Sequence, residues 1–217
     1  MKRQLEPELM EDEAQVKAYA EADFSQPHQN FVSLFNEIFC QQHDYVLDLG
    51  CGAGDISYRF AKANPDCIVH GVDASETMLA WAQKDPRRAS IKNVHFFNRY
   101  LPAEQLPRSS YDAIISNSLL HHLPEPQVLW QTIKQGSQPK TKILLMDLMR
   151  PARLQQAQQL VQTYAANEPA ILQHDFYHSL LAAFTIEEVQ AQLNAADLAL
   201  ACRIISDRHF IVYGSFN

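Results

Sequence analysis

The chain has 217 residues, 47% of them apolar, enough to bury one substantial core in a single α/β domain. Its formal net charge of −7, with no basic run longer than Arg87-Arg88, lacks the charge footprint of a nucleic-acid binder, and no run approaches the length of a membrane span. The four cysteines, at 40, 51, 67 and 202, form no Cys-x-x-Cys pair and read as reduced thiols. The first residues lack a signal-peptide apolar core and soon turn acidic at Glu11-Asp-Glu13, so a cytoplasmic location is expected.

Residues 8–40 read as helical, with Phe31, Leu34, Phe35, Ile38 and Phe39 forming an apolar stripe and Pro27 dividing the region into two helices. Strand 45–49 then runs into a turn carrying Gly50, Gly52 and Gly54. A helix over 54–63 follows, facing inward through Ile56 and Phe60 and ending near Asn64-Pro65. Strand 67–72 leads to a helix capped by Ser75. Strand 94–97 precedes an irregular stretch with Pro102 and Pro107. Strand 111–116, helix 125–135 ending at Gly136, and strand 142–148 complete an alternation that implies a mostly parallel sheet with helices on both faces. Residues 152–183 interrupt it with two helices. Thr185-Ile-Glu-Glu188 is a capping box, and segments 198–205 and 209–214 around Ser206-Asp-Arg208 read as a closing hairpin. The expected division is one domain, 1–217: a helical lid (1–43), a binding core (45–149), a helical insertion (152–183) and a final helix with hairpin (185–217).

Strand, glycine turn and helix together are the usual nucleotide-binding crevice of a doubly wound sheet. Two acids narrow the ligand. Asp48, inside the strand end, would repel a pyrophosphate but favours a nearby ammonium. Asp55 stands where the dinucleotide pattern Gly-x-Gly-x-x-Gly needs its third glycine. Four segments, Leu47-Asp-Leu-Gly-Cys-Gly-Ala-Gly54, Gly71-Val-Asp-Ala-Ser75, Tyr111-Asp-Ala-Ile-Ile-Ser-Asn117 and Leu145-Met-Asp-Leu148, resemble the class I S-adenosylmethionine-dependent methyltransferases. Asn117-Ser-Leu-Leu-His-His-Leu-Pro124 is similar to the small-molecule branch of that family. The resemblance implies a seven-stranded Rossmann-like sheet in the order 3-2-1-4-5-7-6 with strand 7 antiparallel. It also implies S-adenosylmethionine as methyl donor, S-adenosylhomocysteine as product and a small-molecule acceptor, with O, N, S and C all open as the reacting atom.

By that resemblance the cofactor would contact Asp48, Gly50, Cys51, Gly52, Gly54 and Asn117, with Asp73 on the ribose diol and Ala74 and Met78 near the adenine. Asn98-Arg-Tyr-Leu-Pro102 departs from the family's Gly-Asp-Ala-type segment, leaving Arg99 and Tyr100 on the adenine wall. Asn117-Ser-Leu-Leu departs from the (Asp/Asn)-Pro-Pro-(Tyr/Phe) of exocyclic-amine methylases.

His121 and His122 are the catalytic candidates, as a general base or as loop-orienting groups. Asp147 is expected to hold backbone or loop donors rather than magnesium. His174 and His178 have a legal metal spacing but no third ligand, so no metal is expected. Asp175, Tyr177 and Arg208, and by analogy Tyr19, Phe24 and His28 on the N-terminal segment, are acceptor-pocket candidates with packing as the alternative. A cofactor-binding sensor without turnover and, further off, a nicotinamide oxidoreductase are the competing functions. The oligomeric state is open, a homodimer being one option.

Overall fold

The computed structural model describes residues 1–6, 10–40, 43–103 and 105–217; the expected N-terminal lid and first helix therefore lie partly outside the described residues. The chain opens with α1 (Glu13–Glu21) and α2 (Ser25–Ile38). The doubly wound unit follows as β1 (Tyr45–Leu49), α3 (Asp55–Ala63), β2 (Ile68–Asp73), α4 (Glu76–Lys84), β3 (Val94–Asn98), β4 (Tyr111–Asn117), α5 (Gln127–Gly136) and β5 (Ser137–Leu148). Two helices, α6 (Leu154–Tyr164) and α7 (Ala170–Ala182), interrupt it before α8 (Ile186–Ala195), β6 (Ala201–Ile204) and β7 (His209–Ser215). The seven strands lie in the order β3-β2-β1-β4-β5-β7-β6. All are parallel except β7, which pairs antiparallel with β5 and β6.

Period-two alternation along the central strands builds two cores. Leu47, Ile114, Leu145 and Val212 face α5 and α8, where Trp130, Ile133, Val189 and Leu193 close the layer. Their neighbours Val46, Ile115, Leu144 and Ile211 face α2 and α3 through Phe31, Phe35 and Phe60. Trp130 is fully buried and donates its indole N–H to Gln192 Oε1 at 3.0 Å, so α5 and α8 are tied by a polar contact inside an apolar layer. A third cluster joins Leu148 at the end of β5 to Ala157, Val161, Leu180 and Leu181, seating α6 and α7 over the C-terminal ends of the strands.

Two local expectations shift. The break between α1 and α2 falls at 22–24, and Pro27 sits inside the first turn of α2, where its missing N–H has no intrahelical partner to lose. β5 starts at Ser137 rather than 142. A register shift opposite Tyr111/Ala113 and a left-handed Lys140 (φ 75°) absorb the extra residues. Among the described residues no helix is long and apolar enough to cross a membrane.

The sheet interior outweighs helix capping in this architecture. Leu144→Ala is expected to lower the unfolding free energy by about 2–5 kcal/mol. Thr185→Ala, which breaks the capping box of α8, is expected to cost only about 1 kcal/mol. Urea titration of both variants measures the difference; equal losses would contradict the layering described.

Candidate functional site

The site begins where β1 ends. Gly50 and Cys51 donate their N–H groups to the Val72 carbonyl at 2.9 and 3.1 Å, pulling the glycine turn against the end of β2. Gly52 then donates to Asp73 Oδ2 at 2.8 Å, while Asp73 Oδ1 accepts the Ser75 N–H at 2.9 Å. Gly52 must adopt φ +51° to present that N–H, and Gly54 adopts φ +81° with a Cβ position only 2.6 Å from the Phe96 ring. Alanine at 54 would meet both backbone strain and a clash. Each Asp73 oxygen therefore keeps acceptor capacity beyond one fixed backbone donor.

Asp48 lies buried below the turn and accepts a hydrogen bond from Ser57 Oγ at 2.5 Å. Burial, reinforced by the charge of Asp73 and opposed by Ser57, pushes its carboxyl up to about 7. Asp55, at the first turn of α3, behaves oppositely. Burial raises its carboxyl, but hydrogen bonds from His28, Arg59 and Arg87, at 2.7, 2.7 and 2.5 Å, hold it well below the usual carboxylate range. These contacts occupy the helix start with a paired carboxylate, the place where a dinucleotide pyrophosphate would need bare N–H groups.

Above the strand ends lies a cavity of about 820 Å³. The residues expected at the cofactor, Asp48, Gly50, Cys51, Gly52, Gly54, Asp73, Ala74, Met78, Arg99, Tyr100 and Asn117, all line it. The Arg99 guanidinium turns away onto the carbonyls of Asn98 and Gln105, so its side chain offers the cavity mainly its stem. Asn98, the first residue of that segment, braces this wall by donating to the Ala74 carbonyl at 2.8 Å, a role that no motif in the sequence marks.

The opposite end of the cavity brings together His121, His122, Asp175 and Arg208. Tyr19, Phe24 and His28 line the cavity from the side of the glycine turn, where His28 binds Asp55 and the three rings stack in sequence. Asp175 accepts from Gln15 Nε2 at 2.9 Å, linking α7 to α1, and Arg208 stacks 3.4 Å from the Tyr164 ring centroid. Tyr177 packs against the α6–α7 cluster and edge-on to His178, and the neighbouring Phe176 touches that cluster as well as lining the cavity. His174 and His178 stack at 4.3 Å outside the cavity, with His174 largely exposed.

His121 is buried, and its Nδ1 lies 2.5 Å from Asp147 Oδ1. Asp147 also accepts the backbone N–H groups of Leu120 and Leu148, both at 2.7 Å, so the expected backbone donors are joined by a histidine. Burial alone would lower the His121 pKa; the Asp147 carboxylate outweighs it and raises the value.

Two residues from the N-terminal segment complete this end, and no motif in the sequence marks either. Arg3 donates to the carbonyls of His121, Leu123 and Ala182 and lies 3.8 Å from the Phe184 ring centroid. Glu6 Oε1 lies 3.5 Å from His121 Nε2 and 3.2 Å from His122 Nδ1.

Comparison with known proteins places this geometry. A family model described as "Methyltransferase domain" matches residues 41–195. The 27-O-demethylrifamycin SV methyltransferase of Amycolatopsis mediterranei (strain S699) is 29% identical over 157 residues, covering 69% of this chain and 56% of that protein. The chain spans about half or less of the length of the curated relatives it matches. Among solved structures, a SAM dependent methyltransferase from Aquifex aeolicus superposes with TM-score 0.72 at 19% identity, covering 96% of this chain and all of that one. The plantazolicin methyltransferase BpumL, in complex with a triazolic desmethylPZN analog and SAH, gives TM-score 0.72 at 16% identity, over 94% of this chain and 90% of that chain. At those identities the structural likeness speaks for the fold, and the family match speaks for the kind of protein. The chain belongs to the methyltransferase-domain family and has its class I, Rossmann-like architecture.

Proposed function

We propose that the chain transfers a methyl group from S-adenosylmethionine to a small-molecule acceptor. The observation that carries this reading is the pair of carboxylates flanking the glycine turn. Asp73 faces the cavity with both oxygens oriented by backbone donors, and Asp48 lies buried beneath the turn. The donor set fits the cofactor: Asp73 can accept both ribose hydroxyls, Asp48 stands near the place for an ammonium, and Ala74, Met78 and Tyr100 offer a wall for the base. No phosphate is called for, in keeping with the paired Asp55 at the helix start.

When bound, S-adenosylmethionine supplies a methyl group on a positively charged sulfur that is already a good leaving group. The protein then contributes alignment and exclusion of water, which account for large rate effects on their own. Gly50 to Gly54, Cys51 included, fix the donor end, and Asn117 at the end of β4 marks the passage to the acceptor end. His121, His122, Asp175 and Arg208 supply polar groups there; Tyr19, Phe24 and His28, anchored through His28 to Asp55, cover the cavity from the glycine-turn side. The N-terminal segment is tied down by Ser75 Oγ donating to the Met10 carbonyl at 2.8 Å. Within this reading residues 1–43 act as lid, 45–149 as cofactor core, 152–183 as roof and 185–217 as the closing edge of one domain. A cytoplasmic setting belongs to the same proposal. Production of S-adenosylhomocysteine when the protein is given a panel of small-molecule acceptors tests transfer, and tight binding without turnover across such panels would favour a sensor.

Asp73→Ala removes charged acceptors for two hydroxyls and is expected to weaken S-adenosylmethionine binding on the order of a hundredfold. Isothermal titration checks this, and unchanged affinity would refute the ribose assignment.

Asp48 gives a pH prediction. Its folded pKa, about 7, stands above the value of about 3.9 expected in the unfolded chain. Its contribution to stability is therefore fullest below the unfolded value and is lost as pH rises through the folded one. Asp48→Asn is expected to gain stability relative to the native protein between pH 5 and about 8. Chemical denaturation at several pH values reads this out, and a constant difference across that range would contradict it.

A further inference from the structure

We propose that Glu6, His121 and His122 form a binding site for a divalent transition-metal ion of the zinc class, at the acceptor end of the cavity. One ligand atom from each lies within 4.8 Å of the others, and no other such cluster occurs among the described residues. Two of the separations are 3.2 and 3.5 Å. Ligand atoms bound about 2.0–2.2 Å from a common tetrahedral ion stand roughly 3.4 Å apart, so the spacing suits a shared ion. Two imidazoles and one carboxylate favour zinc, iron or manganese over the all-oxygen cages of magnesium and calcium.

Three further observations support a built site. Asp147 holds His121 Nδ1 at 2.5 Å, leaving Nε2 facing Glu6. A carboxylate on the far nitrogen is the usual support of a metal-bound imidazole. Ser179 Oγ donates to Glu6 Oε2 at 3.2 Å and fixes the carboxylate from its other side. The Glu6 side chain is only 8% exposed, yet its Oε1 makes no hydrogen bond to a described residue. That oxygen faces the ring nitrogens of His121 and His122, which pair with it when protonated, and a cation taking the place of those protons would be held by all three groups.

Three protein ligands leave one or more positions open toward the cavity, which His121 and His122 both line. An oxygen-bearing acceptor, such as a hydroxyl, phenol or carboxylate, could occupy such a position. That role rests on the methyl-transfer reading; the metal binding itself does not.

The test uses the full chain stripped with a chelator and titrated with zinc chloride alone, followed by calorimetry and by metal analysis after desalting. One equivalent should bind. Glu6→Gln and His122→Ala should each weaken it at least about tenfold, and Asp147→Asn by about 10–100-fold through lost support of His121. His178→Ala should leave it unchanged. Thermal unfolding of each variant confirms folding. The absence of bound zinc, retention of full affinity in both Glu6→Gln and His122→Ala, or loss in His178→Ala would overturn the site. S-adenosylmethionine binding to the metal-free protein is measured in parallel, so failure of the metal site and failure of the cofactor reading give different results.

Discussion

The contact on which the site depends is the carboxylate of Asp73 held between the N–H groups of Gly52 and Ser75. One side chain at the end of β2 fixes the turn after β1 and the start of α4 together. It works because parallel pairing of β1 and β2, with Leu49 opposite Val72, brings both strand ends to the same level. The Val72 carbonyl takes the two preceding N–H groups of the turn. A carboxylate with two fixed donors is oriented before any ligand arrives, and preorganised groups bind without the cost of being ordered. Burial still disfavours its charged form, since desolvation raises the Asp73 pKa despite these donors.

The two ends of the cavity are built differently. The floor of the donor end is local: residues 48–54 and 71–75 form it, and short-range turn chemistry dictates their shape. The acceptor end is assembled from distant segments, with Arg3 and Glu6, His121 and His122, Asp175 and Arg208 meeting only after the helices have packed. Arg3 does much of that joining through three backbone carbonyls on the 120–123 loop and the end of α7. Under the proposed function, recognition at this end depends on tertiary packing, where small changes in sequence can alter specificity while the fold stays intact.

That difference explains what the sequence revealed. Strand–helix alternation gave a mostly parallel sheet with helices on both faces, because connection rules leave few topologies for such a pattern, and the strand order came with the family resemblance. Asp48 and the glycines stand out in the sequence because one turn sets their spacing, whereas Asp73, a helix and a strand further on, was singled out through the family resemblance. For Tyr177 the choice between cavity and packing stayed open because α7 carries apolar residues nearly all round, in Ile171, Leu172, Phe176, Leu180 and Leu181, so no stripe tells which face meets the cavity. Glu6 was invisible for another reason: an isolated acid near the N-terminus has no periodicity or motif, and its partners lie more than a hundred residues away. The break near Pro27 was placed a few residues late because proline is tolerated in a first helical turn.

The central claim is that the glycine turn and its two acids hold S-adenosylmethionine with its sulfur directed toward the acceptor end. A crystal structure of the chain with S-adenosylhomocysteine tests it most directly. The account predicts the ribose hydroxyls on the Asp73 carboxylate, the amino group on the Asp48 side of the turn, and the sulfur facing Asn117 and His121. A ligand seated elsewhere, or one whose ribose leaves Asp73 uncontacted, would contradict it.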